Sequence, residues 1–283
     1  MSSVNDAISS ETDSGRFHSE VNGGTPVFFI CSPRPRVGKT LIARLLTEFF
    51  LFDGRSVVAF DTSPNDASLS RYLPDCAIPA TISDIKSQMA LFDRLMINDT
   101  KPKIVDLATE LFDPFFLLMG NIGFLEEAPK LSITPVILFV ADGQPISTKA
   151  YEQVWRRFPG SLLFPVHNQA TMAVWHYGHF PTRHANGVPL RIPCLPWRLT
   201  GAVNRRGFSF IKCLDTPVDL PTELYEWLDR SFLAFRELQL CILMENFRPL
   251  FTRGRTQRDA RSGAQEADGP GRKGAATELS VDM

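Results

Sequence analysis

At 283 residues, with 44% hydrophobic and 22% charged residues, the chain has the composition of a folded globular protein with material for a substantial core. Its formal net charge of −1 gives no global electrostatic reason to bind nucleic acid or an anionic membrane. Cys31, Cys76, Cys194, Cys213 and Cys241 are scattered and never spaced C-x-x-C, which argues for reduced thiols and against a disulfide framework or zinc knuckle.

Residues 1–24 are rich in Ser, Asn, Gly and acids and lack the apolar core of a signal peptide, so a cytoplasmic chain with a disordered N-terminal tail is expected. Residues 251–283, rich in Arg, Gly, Ala and acids, read as a second disordered tail. Between them, 25–250 alternates short apolar runs with helical patterns, which predicts one α/β domain with a mostly parallel sheet flanked by helices. The runs PVFFIC (26–31), SVVAF (56–60), KIVDLA (103–108), PVILFVAD (135–142) and SLLFPVHN (161–168) read as strands, with LRIPCLP as a last one. TLIARLLTEFFLFDG, ISDIKSQMALFDRL, TKAYEQVWRRF and the glycine-bearing PFFLLMGNIGFLEEA read as helices. A long terminal helix is entered through Pro221 and is apolar over too much of its circumference for a membrane-surface helix, which predicts burial or a dimer interface. No apolar run of about 18 residues is free of charge, so no membrane span is expected.

Between the first strand and the first helix lies CSPRPRVGKTLIARLL (31–46). Gly38, Lys39 and Thr40 match the second half of the phosphate-loop pattern G-x-x-x-x-G-K-[ST] in its proper strand–loop–helix setting. Backbone N–H groups from Arg36 to Leu41 and the helix N-terminus can face phosphates, Lys39 can set a positive charge among them, and the Thr40 hydroxyl can ligate magnesium. Pro33 stands where the first glycine belongs, and neither it nor Pro35 has an N–H to donate.

SPRPRVGKT resembles the deviant Walker A loop of the ParA/MinD family of ATPases, commonly S-G-K-G-G-V-G-K-T. Aligned on the shared ends, Arg34 takes the place of the family's signature lysine, which reaches a partner subunit's nucleotide, and Pro35 and Arg36 replace the glycine pair. FDTSPNDASLSRYL (60–73) is similar to the family's switch segment D-x-D-P-Q-G-N-A-S-L. Asp61, Pro64 and Ala67-Ser68-Leu69 match after a one-residue deletion, while Ser63 stands where the family carries its water-orienting aspartate and Asp66 lies nearby. Asp106, at the end of IVDLA, resembles the Walker B acid that joins Thr40 at magnesium, and Asn168 in FPVHNQ resembles the Asn that reads adenine, with IPCLP bracketing the base. The resemblance covers most of residues 26–200. It implies binding of ATP with Mg2+ through Arg34, Arg36, Val37, Gly38, Lys39, Thr40, Leu41 and Asn168, metal held by Thr40 and Asp106, and catalytic roles for Lys39 and Asp61. It also implies a homodimer on ATP binding and a role in partitioning or positioning DNA or a protein cargo. With Ser63 in place of the aspartate, hydrolysis is expected to be slow or absent. The alternative is a non-hydrolysing scaffold that binds protein or DNA partners. A synthetase or kinase of the same superfamily would need a substrate pocket with its own acids, and a glutamine amidotransferase also an added domain with a nucleophilic Cys and His, for which no room is expected in this chain.

His167, His176, His179 and His184 fall within eighteen residues, but between Gln153 and Leu214 no carboxylate accompanies them and the only cysteines are Cys194 and Cys213, so display or packing is favoured over zinc. The same interval carries Arg156, Arg157, Arg183, Arg191, Arg198, Arg205, Arg206 and Lys212 with no acid. That reads either as a solvated surface paired with acids elsewhere or as a basic face for nonspecific DNA.

Overall fold

The computed structural model of the chain describes residues 24–63, 68–172, 189–215 and 222–265. Seven strands form one all-parallel sheet: β1 (Thr25–Cys31), β2 (Val58–Asp61), β3 (Ala77–Pro79), β4 (Lys103–Asp106), β5 (Ile133–Ala141), β6 (Leu162–Asn168) and β7 (Leu190–Ile192), in the order β3-β2-β4-β1-β5-β6-β7. The apolar runs of the sequence supply six of them. β3 is the one that was not foreseen, because Ala77-Ile78-Pro79 is too short to carry a periodic pattern and only Ala77 is buried. β5 begins two residues before the predicted Pro135. The proline, which has no N–H for the ladder, lies ahead of Val136, where pairing with β6 starts.

Helices cover both faces. α1 (Lys39–Phe52) crosses from β1 to β2, and α3 (Ile85–Leu95), α4 (Phe112–Asn121) and α6 (Pro145–Arg157) make the connections that run in the opposite direction along the sheet. Right-handed crossovers therefore require α1 on one face and the other three on the far face. The side chains divide accordingly. Phe28 and Ile30 of β1 pack with α1 residues such as Leu45, Leu46 and Phe49, while Val27 and Phe29 pack with Leu95 of α3, Phe115 of α4 and Val154 of α6. Gly123, at φ 63°, breaks the predicted fourth-connection helix after α4, and a short turn of helix, α5 (Phe124–Glu127), follows.

α10 (Thr222–Gln265) lies over α1 and β7. Leu224, Leu228, Phe232, Phe235, Leu238 and Ile242 are buried in the same cluster as α1, with Phe232 and Phe235 against Phe49 at 5.4 and 5.6 Å between ring centres. Trp227 donates through Nε1 to the Pro193 carbonyl at 2.8 Å, so the helix is fastened to the end of β7. This realises the expected burial of the terminal helix, and its backbone stays helical to Gln265, past the boundary at 250 read from composition. Among the described residues no helix is long and apolar enough to cross a membrane, and all five cysteines are free.

A buried ion pair ties the segment after β7 to α1. Arg44 (1% exposed) and Glu48 (0%) lie one turn apart at 3.3 Å. Arg44 also donates to the Val203 and Phe208 carbonyls at 2.8 and 2.5 Å and stacks over Tyr72 and Phe210, while Glu48 accepts from Ser209 Oγ and the Ile211 N–H. These bonds hold α8 (Trp197–Val203) and α9 (Phe210–Asp215) in place. Replacing Arg44 with Leu strands a buried carboxylate and is expected to lower unfolding free energy in urea by about 3–5 kcal/mol. The double variant Arg44→Leu/Glu48→Leu should regain part of that loss.

Candidate functional site

The sheet topology opens a crevice where the loop lies. β1 sends its chain to one face, while its neighbours β4 and β5 both send theirs to the other, the arrangement at whose strand C-termini ligands bind in open α/β sheets. Four strand ends converge here. Asp61 of β2 pairs in register with Asp106 of β4, Ile30 of β1 pairs with Asp106, and Asp142 follows β5.

Residues 32–38 leave β1 and wrap to the N-terminus of α1, where Gly38 is the cap at φ 96°, a left-handed conformation that glycine alone adopts without strain. Arg36 is also left-handed, at φ 60°. The loop thus keeps a left-handed residue at one place where the resembling family has glycine, now with a side chain on it. The Arg34 N–H is turned inward to Ser32 Oγ at 3.3 Å, and its guanidinium is paired with Asp142 at 3.0 Å. Asp142 is fixed in turn by the Ser147 hydroxyl and the Gln144 N–H. Lys39 arches back over the loop, donating to the Arg34 carbonyl at 3.2 Å and to Thr109 Oγ1 at 2.7 Å. Burial holds its ammonium below the usual lysine range, opposed chiefly by the neighbouring Asp106.

The two predicted carboxylates have different surroundings. Asp61 is saturated: its oxygens accept from the Ser63 N–H, the Ser70 N–H and the Ser70 hydroxyl at 2.9–3.1 Å, which anchors α2 (Ser68–Tyr72) behind the switch segment. Asp106 accepts a hydrogen bond from the Thr40 side chain, but its Oδ2 is buried with no partner. Burial, with Asp61 nearby, pushes its carboxyl up to about 6, against the opposing pull of Thr40 and Lys39. A buried oxygen left without a donor is uncommon. Thr40 and Asp106 together present hard oxygen donors, the chemistry magnesium takes.

Asn168 lies against the loop. It is 3% exposed, its amide donates to the Val37 carbonyl at 2.9 Å, and its oxygen accepts from the Ala170 N–H. Val37 is buried beneath the loop, and Leu41 packs against the core cluster of α1. The structure therefore brings Arg34, Arg36, Val37, Gly38, Lys39, Thr40, Asp61, Asp106 and Asn168 together around one loop. Pro64, Asp66 and Ala67 of the switch segment lie outside the described residues, as do His176, His179, His184 and Arg183. His167 is buried and pulled below its ordinary range by burial and by Arg191. Among the described residues no group of His, Cys, Asp and Glu is arranged to hold a metal by itself.

Sequence reasoning missed three partners. Asp142 ends a predicted strand and could have been found as the acid facing Arg34. Thr109 and Thr62 carry no pattern, yet the Thr62 hydroxyl donates to the Asp106 carbonyl and accepts from the Ala108 N–H, which sets the backbone at the acid. No family model matches the chain, and a search of curated proteins finds no match either.

Because the folded Asp106 carboxyl titrates near 6 and an unfolded one near 3.8, its contribution favours the fold most below pH 4 and is lost as pH rises through 6. Asp106→Asn is expected to match the wild type in stability at pH 4 and to exceed it by up to about 3 kcal/mol at pH 8. Paired denaturant titrations at the two pH values measure the difference.

Proposed function

We propose that the chain is a nucleotide-dependent switch protein similar to the ParA/MinD ATPases, binding ATP with Mg2+ at the loop of residues 32–40 and hydrolysing it slowly or not at all. The observation that carries this reading is the unpartnered Asp106 Oδ2 beside Thr40, at the C-terminal end of the strand next to the loop. In this reading the N–H groups around Gly38 and the N-terminus of α1 bind phosphate, and Lys39 exchanges its bonds to the Arg34 carbonyl and Thr109 for phosphate oxygens. Thr40 and Asp106 hold magnesium, which supplies positive charge to the phosphates when bound. Arg34, 43% exposed in its side chain and paired only at its Nε in the bond to Asp142, keeps guanidinium N–H groups for nucleotide or for a second copy of the chain.

Asp61 serves the switch by structure, since among the described residues its bonds go to Ser63 and Ser70. Ser63, at the place of the water-orienting aspartate, has no charge with which to orient an attacking water, which supports slow turnover. Nucleotide state then changes dimerisation or contacts with a DNA or protein cargo, in the cytoplasm. A scaffold that no longer accepts nucleotide is favoured by one observation, the loss of two amide donors at Pro33 and Pro35.

Calorimetric titration of MgATP separates the two. Binding by the wild type that falls at least about a hundredfold in Lys39→Ala is expected, since a charge-assisted contact to phosphate is lost. Phosphate release should run at least about a thousandfold below the ~10 s⁻¹ typical of enzymes. Absence of wild-type binding, or binding indifferent to Lys39→Ala, overturns the proposal.

A further inference from the structure

We infer that Asn168 is a positioning residue for the phosphate loop: by holding the Val37 carbonyl it aims the Gly38 N–H, and so sets phosphate affinity and not base preference. The inference rests on the proposed nucleotide site and departs from the adenine-reading role that the sequence resemblance implies for this residue.

Asn168 turns both polar ends to the chain within 3.1 Å: Nδ2 to the Val37 carbonyl and Oδ1 to the Ala170 N–H. At 3% exposure the amide faces the protein and not open solvent. What the amide does instead follows from peptide geometry. The C=O and N–H of one trans peptide unit point in opposite directions in a common plane. Fixing the Val37 carbonyl toward Asn168 therefore fixes the Gly38 N–H on the opposite side, away from β6.

That N–H matters more here than in a glycine-rich loop. Pro33 and Pro35 offer no donors, and the Arg34 N–H is turned inward to Ser32 Oγ. The donors that remain begin at Arg36, and Gly38 stands at the cap of α1, where the helix dipole adds to each N–H. Asn168 also fills the room beside Gly38, since a Cβ built there would lie 2.3 Å from Nδ2. The glycine and the asparagine thus fit each other: the first has no side chain because the second occupies its place. Through its carbonyl, which accepts from the Thr171 hydroxyl, and through Ala170, the same residue joins the loop to α7 (Gln169–Met172), at the start of the segment that follows β6.

The test compares three ligands, MgATP, MgGTP and magnesium tripolyphosphate, by calorimetry on the wild-type chain and on Asn168→Ala and Asn168→Ser. The serine is the milder change, as its hydroxyl can still accept from the Ala170 N–H yet is too short for Val37. Thermal melts confirm that each variant is folded. The expected result is that ATP and tripolyphosphate weaken together, by about tenfold for the loss of one oriented donor, with the ATP-to-GTP ratio unchanged. Tripolyphosphate affinity that stays at the wild-type value while the ATP-to-GTP ratio collapses overturns the inference and restores base reading. Unchanged affinity for all three ligands overturns it as well. Wild-type protein that binds none of the three overturns the nucleotide site itself, and the inference with it.

Discussion

Two buried carboxylates face each other in register across β2 and β4, and the rest of the site is arranged around their difference. Asp61 and Asp106 are 1% and 2% exposed, and the charge of Asp61 adds to burial in raising the Asp106 carboxyl. The protein resolves the conflict unevenly. Asp61 receives its full set of donors from Ser63 and Ser70, which spends it on shaping the backbone beyond β2. Asp106 receives Thr40 alone and keeps one oxygen unmatched. A core built only for stability would have filled that gap with a hydrogen-bond donor or removed the charge. The uneven division gives one acid a structural task and leaves the other with an unmatched oxygen.

The loop shows how far glycines can be replaced when their conformations are supplied by other means. Arg36 accepts a left-handed backbone at a cost of about 1–2 kcal/mol relative to an unstrained residue. The prolines restrict the chain before folding, which lowers the entropy lost in ordering it. The remaining freedom is taken up by ties to outside elements: Arg34 to Asp142, Lys39 to Thr109, Val37 to Asn168. This loop is held in shape by ties to residues at or after the ends of β4, β5 and β6.

Much of this was legible in the chain. Buried parallel strands are continuous apolar runs, so β1, β4, β5 and β6 stand out, and Asp106 at the end of β4 and Asp142 just after β5 lie on the edge of the sheet where the loop sits. Gly38-Lys39-Thr40 stands out because its residue types and spacing match a phosphate-loop pattern. The partners were less legible for a physical reason. Thr62, Thr109 and Asn168 act through hydrogen bonds to residues far away in the chain, and these depend on strand order, a property of the folded sheet that no local pattern encodes. Asn168 stands out in the chain only through the resemblance of FPVHNQ to a base-reading strand end, and its bond to the Val37 carbonyl is visible only in the fold. The Arg44–Glu48 pair is an ordinary i, i+4 spacing on α1, and nothing in that spacing tells a buried knot from a solvated surface pair.

The sheet ends on both sides in strands of three residues, β3 closing with Pro79 and β7 followed at once by Pro193. An outer strand that short offers too few N–H and C=O groups to template another chain, and a proline at its end removes one donor more. The central strands, which are strongly apolar and would be hazardous if uncovered, are thereby insulated from their own kind. Among the described residues, two copies crowded together would meet only these short outer strands at the sheet edges, which offer little ribbon edge on which to join.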